Sequence, residues 1–157
     1  MAILKKQTFG SICTLLALIL AVAGVVAYYV NIGAEGYFQG AAVSHASTLF
    51  TMAAVALALI VALNQVSLNK TADKLFAILS GALQIAAPAG LMAAAMYLVE
   101  SRAQGLAYIY FSNEEVLAEV QTAANLSSAS GAITAIALLA VAALVGIVAA
   151  FFRQKKA

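Results

Sequence analysis

The residues of this sequence that could do chemistry are few, and the pattern of the chain separates them. The one cysteine, Cys13, lies in the first long apolar run, and the one histidine, His45, begins the second. A thiol and an imidazole act together only within hydrogen-bond reach of each other. If both runs cross a bilayer, much of a hydrocarbon core about 30 Å thick lies between the two side chains. We therefore expect no thiol chemistry within one chain.

A metal site would have to combine His45 with Glu35 and Glu100, which the topology derived below places on one side. Imidazole and carboxylate groups are good zinc ligands, but these three residues have no characteristic ligand spacing. Ser44 and Ser47, beside His45, stand at a helix start, where serine more often caps a helix than attacks a substrate. The sequence thus predicts no catalytic residue, no metal and no cofactor, and we expect that the protein is not an enzyme.

The elements that hold these residues are long apolar segments. Of the 157 residues, 65% are hydrophobic and 9% are charged, whereas about a quarter of a soluble domain is charged. The charges leave four gaps, each long enough for the roughly 20 residues that cross a bilayer. We predict an all-α membrane protein, a four-transmembrane-helix bundle that forms a single membrane domain over 1–157. The predicted spans are about 9–31, 46–66, 77–99 and 130–152.

The distribution of basic residues predicts the orientation of the bundle. Seven of the eight basic residues fall on one side, and these are Lys5, Lys6, Lys70, Lys74, Arg153, Lys155 and Lys156. The other side holds all five glutamates and only Arg102. Basic loops stay in the cytoplasm, so both termini are expected to be cytoplasmic in a multi-pass plasma-membrane protein. The excess of positive charge therefore indicates topology, and no nucleic-acid partner is expected.

The start of the chain also permits another interpretation. Lys5 and Lys6 before an apolar run resemble a secretory signal peptide. The run continues to Val30, however, which is longer than a usual signal core. We therefore expect this segment to be retained as the first span.

The segment 100–129, between the third and fourth spans, is predicted to form a small extracytoplasmic element. The aromatic-rich sequence AYIYF at 107–111 is typical of a short strand. Ser112 and Glu115 have the spacing of a capping box, so a short helix is expected to follow over 116–126. Leu117, Val120 and Ala124 would face the ends of the spans. The outer contact surface is expected to be acidic and to consist of Glu114, Glu115 and Glu119.

Small residues recur every four positions in three of the spans. In lipid no hydrophobic force draws helices together, so close packing at small residues has to do so. We therefore predict packing seams in the second, third and fourth spans. Their residues are Ala54 and Ala58; Ala82, Ala86, Gly90 and Ala94; and Ala142 and Gly146.

The only proline of the chain, Pro88, lies inside the third span. Proline removes one backbone donor and crowds the carbonyl of residue 84, which should bend the helix. Residue 84 is Gln84, a polar side chain deep in an apolar run. It either lines a polar path or forms a hydrogen bond to another helix, and intramembrane polar groups usually do the latter.

Two functions remain open on the sequence alone. The first is a scaffold, accessory subunit or small homo-oligomer, whose partners are the lipid bilayer and itself or another membrane protein. The second is an oligomeric pore or uncoupled channel, or a subunit of a transport complex, with Gln84, Ser80 and Thr134 as the polar lining. No charged residue lies in the middle of a span, and wet paths through lipid normally need charge or dense polarity. The first function is therefore preferred.

Overall fold

The computed structural model describes residues 8–65 and 70–152, with the side chains of residues 70–73 and 76 left aside. Within these ranges the chain forms five helices and no strand. The helices are α1 (Phe9–Gly33), α2 (Ser44–Gln65), α3 (Lys70–Phe111), α4 (Glu114–Val120) and α5 (Ala123–Ala150). All but α4 are long and apolar enough to cross a membrane. The prediction of four apolar spans in an all-helical protein is therefore confirmed.

The four long helices pack in the order α1, α2, α3 and α5 around a shared core. The pair α1 and α5 has the most extensive contact, and the pair α1 and α2 the least extensive of the four. The core is filled by large apolar side chains, all of which are fully buried: Phe50, Leu57, Ile60, Leu91, Leu98 and Leu139. We call the end with α4 and the α1–α2 loop the outer end, and the opposite end the inner end.

The long helices expose many large apolar side chains. Each candidate span buries only 33% to 39% of its most apolar window within the chain. Isoleucines such as Ile78 and Ile85 are 72% exposed. A water-soluble protein rarely presents so large an apolar surface, whereas hydrocarbon solvates it. The exposed faces are thus those expected of a multi-pass membrane protein.

Helix α3 is longer than the predicted span 77–99. The part of α3 that is long and apolar enough to cross a membrane is Ala77–Phe111, which includes Glu100 and Arg102. The expectation of a strand at 107–111 is therefore wrong. The buried residues here are Arg102, Gly105 and Ile109, and their spacing of three and four residues is that of one helix face. The alternating tyrosines at positions 108 and 110 suggested a strand, but this helical pattern of burial prevails.

The segment that follows α3 also differs from the prediction in detail. The residue that caps α4 is Asn113, whose Oδ1 accepts a hydrogen bond from the amide of Val116 at 3.0 Å. The proposed cap, Ser112, donates its hydroxyl to the carbonyl of Tyr108 instead. Both residues can cap a helix, and the side chain of Ser112 is already used by the last turn of α3.

The short helix and the last span meet earlier than predicted. Helix α4 ends at Val120, and Thr122 then caps α5 by accepting a hydrogen bond from the amide of Asn125. The fourth long helix therefore starts at Ala123, not near residue 130. A second N-cap so soon after the first divides the predicted helix 116–126 into two pieces.

Most of the basic residues that predict the orientation of the bundle lie outside the ranges 8–65 and 70–152. Lys5, Lys6, Arg153, Lys155 and Lys156 lie outside the described residues. Of the inner loop, Lys70 belongs to α3 and Lys74 is exposed. The cytoplasmic location of both termini therefore stays a prediction.

Candidate functional site

The most elaborate arrangement of side chains lies at the outer end, where residues 34–43 connect α1 to α2. We call this connection the outer loop. The amide of Gly40 donates to the carbonyl of Ile32 at 2.8 Å and so folds the loop back onto α1. Gly36 has a φ of +139°, and a Cβ there would lie 2.7 Å from the carbonyl oxygen of Ala124. Only glycine permits this backbone and so close an approach to α5.

Three buried side chains anchor the outer loop by hydrogen bonds. The Ser128 hydroxyl accepts from the amide of Phe38 at 3.1 Å, and the Tyr28 hydroxyl accepts from the amide of Val43 at 2.7 Å. The side-chain Nδ2 of Asn31 donates to the carbonyl of Ser128 at 2.7 Å and so joins α1 to α5. Backbone groups outside regular helices need such partners when water is excluded. The loop therefore has defined contacts with α1 and α5.

A buried arginine anchors the same loop from α3. Arg102 is 4% exposed and donates from its Nη2 to the carbonyl of Ala41 at 2.5 Å. Its guanidinium carbon lies 4.6 Å from the centroid of the Phe38 ring, within the range of a cation–π contact. Gly105 makes room nearby, since a Cβ there would lie 2.7 Å from the Phe38 ring. Arg102 therefore holds the loop by a charged hydrogen bond and by stacking.

Sequence reasoning missed this anchoring arrangement. It counted Arg102 only as a charge on the outer side. One signal was available, because Arg102, Gly105 and Ile109 have the spacing of a buried helix face. The partners of that face are remote in sequence, and a single sequence does not reveal them.

The predicted seam of α3 is only partly used within the chain. Ala94 is fully buried, and a Cβ on Gly90 would meet the Cβ of Ala53 in α2 at 3.5 Å. Ala82 and Ala86, by contrast, are exposed. Each step of four residues turns about 40° beyond a full helical turn, so a long ladder rotates away from its neighbour. Gly90 and Ala94 therefore lie at contacts with other helices, whereas the first two positions face outward.

The other predicted seams show a similar division. In α2, Ala58 is exposed and Ala54 is half-buried, while Ala53 and Leu57 fill the core. In α5, Ala142 is fully buried and Gly146 is buried. The contacting face of α2 is thus one residue away from the small-residue pattern, because apolar residues cover that whole helix and do not mark a single face.

Pro88 is itself a packing surface. It is buried, and a Cβ on Gly146 of α5 would lie 3.2 Å from the Pro88 Cβ. Helix α3 continues without interruption through this residue. The proline ring and the glycine therefore form a close contact between α3 and α5. The sequence pattern had placed the seam and the proline on the same helix but had not paired Pro88 with Gly146.

Gln84 finds its partner on its own helix. Its amide donates to the hydroxyl of the buried Ser80 at 3.4 Å, one turn earlier in α3. Thr134 of α5 is exposed and likewise donates to a carbonyl of its own helix, that of Ser130. This hydrogen bond lies within α3, because a hydroxyl four residues away is already within reach. A bond from Gln84 to another helix stays a prediction.

The candidate chemical groups remain apart. Cys13 is buried in α1, and His45 is exposed at the first turn of α2, where its ring lies 5.9 Å from that of Tyr97. Glu35 and Glu100 are both exposed. In the described part of the chain, no three His, Cys, Asp or Glu side chains form a group that could hold a metal ion.

The acidic residues of α4 lie on the surface. Glu114, Glu115 and Glu119 are exposed, and the first two occupy the first turn of the helix, where carboxylates interact well with the helix dipole. Leu117 and Val120 are half-buried. Helix α4 contacts α3. The role of these glutamates in contact with a partner stays a prediction.

Comparisons with protein-family profiles, with curated proteins and with solved structures give no match to this chain.

Proposed function

We propose that this chain is a non-catalytic multi-pass protein of the plasma membrane that acts by contact, as a scaffold, an accessory subunit or a homo-oligomer. The observation that carries the proposal is the filled interior of the bundle. Fully buried apolar side chains follow one another from Phe50 near the outer end of α2 to Ile60 near its inner end. Leu91, Leu98 and Leu139 fill the same core from α3 and α5.

A filled interior limits how the protein can act. Water and ions cross hydrocarbon only where polar groups line a continuous path. The core lining offers apolar side chains, and the Gln84 amide is bonded to Ser80 within α3. Surfaces are then the places where the protein meets other molecules. Two kinds of surface are present, the apolar helix faces toward lipid and the outer end with its exposed glutamates.

A pore between protomers is the alternative, and one observation favours it. Thr134 of α5 is exposed on the outside of the bundle, where a lumen formed by several copies would lie. Against this, its hydroxyl is bonded to Ser130, and its exposed neighbours Ile133, Ala137 and Val141 are apolar. A contact function needs no such lining.

Reconstitution tests the proposal against the pore. Full-length protein is purified in mild detergent, its mass is measured, and its vesicles are assayed for ion and small-solute flux. We expect a complex larger than one chain, or one that contains a second protein, and no flux above empty vesicles. Flux that is lost in Gln84→Leu or Thr134→Val would establish the pore instead. A monomer that co-purifies with nothing would contradict the contact function.

A further inference from the structure

The outer part of α3 extends beyond the level at which α2 begins. Tyr97 contacts His45 at the first turn of α2, with ring centroids 5.9 Å apart. Because the α2 segment Ser44–Gln65 is about 33 Å long, it only just crosses a hydrocarbon core of about 30 Å. From Tyr97, α3 continues to Phe111, a distance of about 20 Å at the usual helical rise. If α3 and α2 cross the same hydrocarbon core, this part of α3 extends beyond it.

One face of this projecting part is exposed and aromatic. Gln104, Ala107, Tyr108 and Phe111 follow the spacing of a single helix face, and all four are exposed. Tyr108 is 44% and Phe111 85% exposed. Tyr37 of the outer loop, also 44% exposed, lies beside Tyr108 at 5.9 Å between ring centroids. We call these five residues the aromatic face.

Lipid does not account for this exposure. Along Ala77–Tyr97 the exposed apolar side chains face hydrocarbon, which solvates them well. Phe111 lies about 20 Å further along the helix axis than Tyr97, beyond the length that a hydrocarbon core of about 30 Å occupies. Tyrosine and phenylalanine side chains grouped on a solvent-exposed face are typical of the central part of a protein interface. A partner protein is therefore the occupant to consider.

The charges around the aromatic face select the kind of partner. Glu100 lies one helical turn before Gln104, and Glu114 follows Phe111 at the start of α4, and both are exposed. The arginine of this end, Arg102, is buried against Phe38 and the outer loop. Among the described residues of the outer end, every exposed formal charge is thus a glutamate.

We propose that the aromatic face is the docking surface for a partner protein that presents lysine or arginine residues around an apolar groove. The proposal rests on the contact function above and names the chemistry of the partner. Phe111 and Tyr108 fill the groove, and Glu100 and Glu114 pair with the basic rim. A second copy of this chain fits less well, because it brings its own glutamates against these and like charges across an interface repel.

Photo-crosslinking in the native cell membrane tests this assignment. Tyr108→p-benzoylphenylalanine places the probe on the aromatic face of the full-length chain, and Ile85→p-benzoylphenylalanine places it on the lipid-facing part of α3. We expect an adduct at position 108 with a second protein, and its crosslinked segment should carry lysine or arginine. The yield should fall about tenfold with Phe111→Ala, the scale of an aromatic interface anchor. It should fall several-fold with Glu114→Lys or with added salt.

Glu35→Lys is the matched control. It changes the net charge by the same amount as Glu114→Lys, and Glu35 is exposed in the outer loop but belongs neither to the aromatic face nor to α4. We expect it to leave the yield nearly unchanged. Equal losses from the two glutamate changes would mean that the partner responds only to the net charge of the outer end. That result would overturn the proposed site.

The two probe positions separate failure of this surface from failure of the contact function. An adduct at position 85 with none at 108 would overturn the aromatic face and leave the contact function standing. No adduct at either position, together with flux in vesicles, would overturn both. An adduct at 108 with lipid or with a second copy of this chain would overturn the basic partner.

Discussion

The outer end of the bundle and the inner half of α3 are held in different ways. At the outer end, side chains of three helices bond to the backbone, and glycines allow close approach. In residues 77–86 of α3, all of which are described, Ser80 is the one buried residue. Ile78 and Ile85 there face outward. The outer end is fixed by specific polar contacts within the chain. The inner half of α3 makes few such contacts, and most of its side chains face the solvent around the bundle.

This difference follows from the two solvents. In the outer loop the backbone is not helical, and each carbonyl or amide that is buried there needs a defined partner. Within the hydrocarbon the helix already satisfies its backbone, and lipid accepts apolar side chains. We therefore expect substitutions at the outer end to be far more harmful than substitutions of similar size in the inner half of α3. The predictions below test this contrast, from the largest expected effect to the smallest.

Gly36→Ala should have the largest effect. Its φ of +139° is a conformation that residues with a side chain rarely adopt, and the new Cβ would lie 2.7 Å from a carbonyl oxygen of α5. We expect the free energy of unfolding to fall by about 3 kcal/mol, as measured by unfolding in mild detergent. Gly33→Ala is the control, because a Cβ there meets nothing within 4 Å. Similar stability of the two variants would contradict the tight outer loop.

Arg102→Leu should have the next largest effect. It removes the charged hydrogen bond to the carbonyl of Ala41 and the contact with Phe38. The expected loss is about 2 kcal/mol, the usual value for a hydrogen bond to a charged group. Proteolysis within the outer loop should become faster at the same time. Arg102→Lys should recover only part of the loss, since an ammonium group stacks less well on an aromatic ring.

A control for Arg102 is the neighbouring Ser101. Ser101 is exposed and precedes Arg102 in the same helix, and its hydroxyl bonds only to a carbonyl of its own helix. Ser101→Ala should leave both stability and loop proteolysis nearly unchanged. If Arg102→Leu behaves like Ser101→Ala, then Arg102 does not anchor the loop.

Two glycines of the membrane-spanning helices should respond with opposite signs. Gly146→Ala places a Cβ 3.2 Å from the Pro88 Cβ, so α3 and α5 must move apart slightly. We expect a loss of about 1 kcal/mol, at the lower end of the range for overpacking. Gly81→Ala in the inner half of α3 meets nothing within 4 Å and should stabilise by about 0.5 kcal/mol through helix propensity. Thermal unfolding of both variants in the same detergent measures the difference.

The long helices could be predicted because their signal is local. Four apolar gaps between charges gave the four spans, and the starts of α1 and α2 lie within two residues of the predicted positions 9 and 46. The predicted third span ended at residue 99, whereas α3 continues to Phe111, and the predicted fourth span began at residue 130, whereas α5 begins at Ala123. Hydropathy reports where lipid contact ends, whereas a helix ends where its backbone finds another partner or a cap.

The contacts between helices could be predicted only in part. Gly90, Ala94, Ala142 and Gly146 were identified as packing positions, and each lies at a close contact or in the buried interior. Ala58, Ala82 and Ala86 face outward. Lipid accepts small and large apolar residues alike, so a row of small residues does not by itself mark the face that contacts another helix. The contact of Arg102 with residue 41 is remote in sequence, and no local pattern specifies it.

Gln84→Leu should have the smallest effect, and it tests the inner half of α3 directly. The Gln84 amide and the Ser80 hydroxyl are 3.4 Å apart, a long hydrogen bond within one helix. Losing it should lower the free energy of unfolding by less than about 1 kcal/mol, since polar contacts in membranes average about 0.6. Leucine is also better solvated by lipid, which offsets part of the loss.

Gln84→Glu is the sharper companion, because a charge at this depth costs about 3 kcal/mol unless water reaches it. A strong loss with Gln84→Glu and almost none with Gln84→Leu would mean that the inner half of α3 meets lipid, as its exposed isoleucines indicate. Tolerance of the glutamate would mean that water reaches residue 84, and it would favour the pore between protomers.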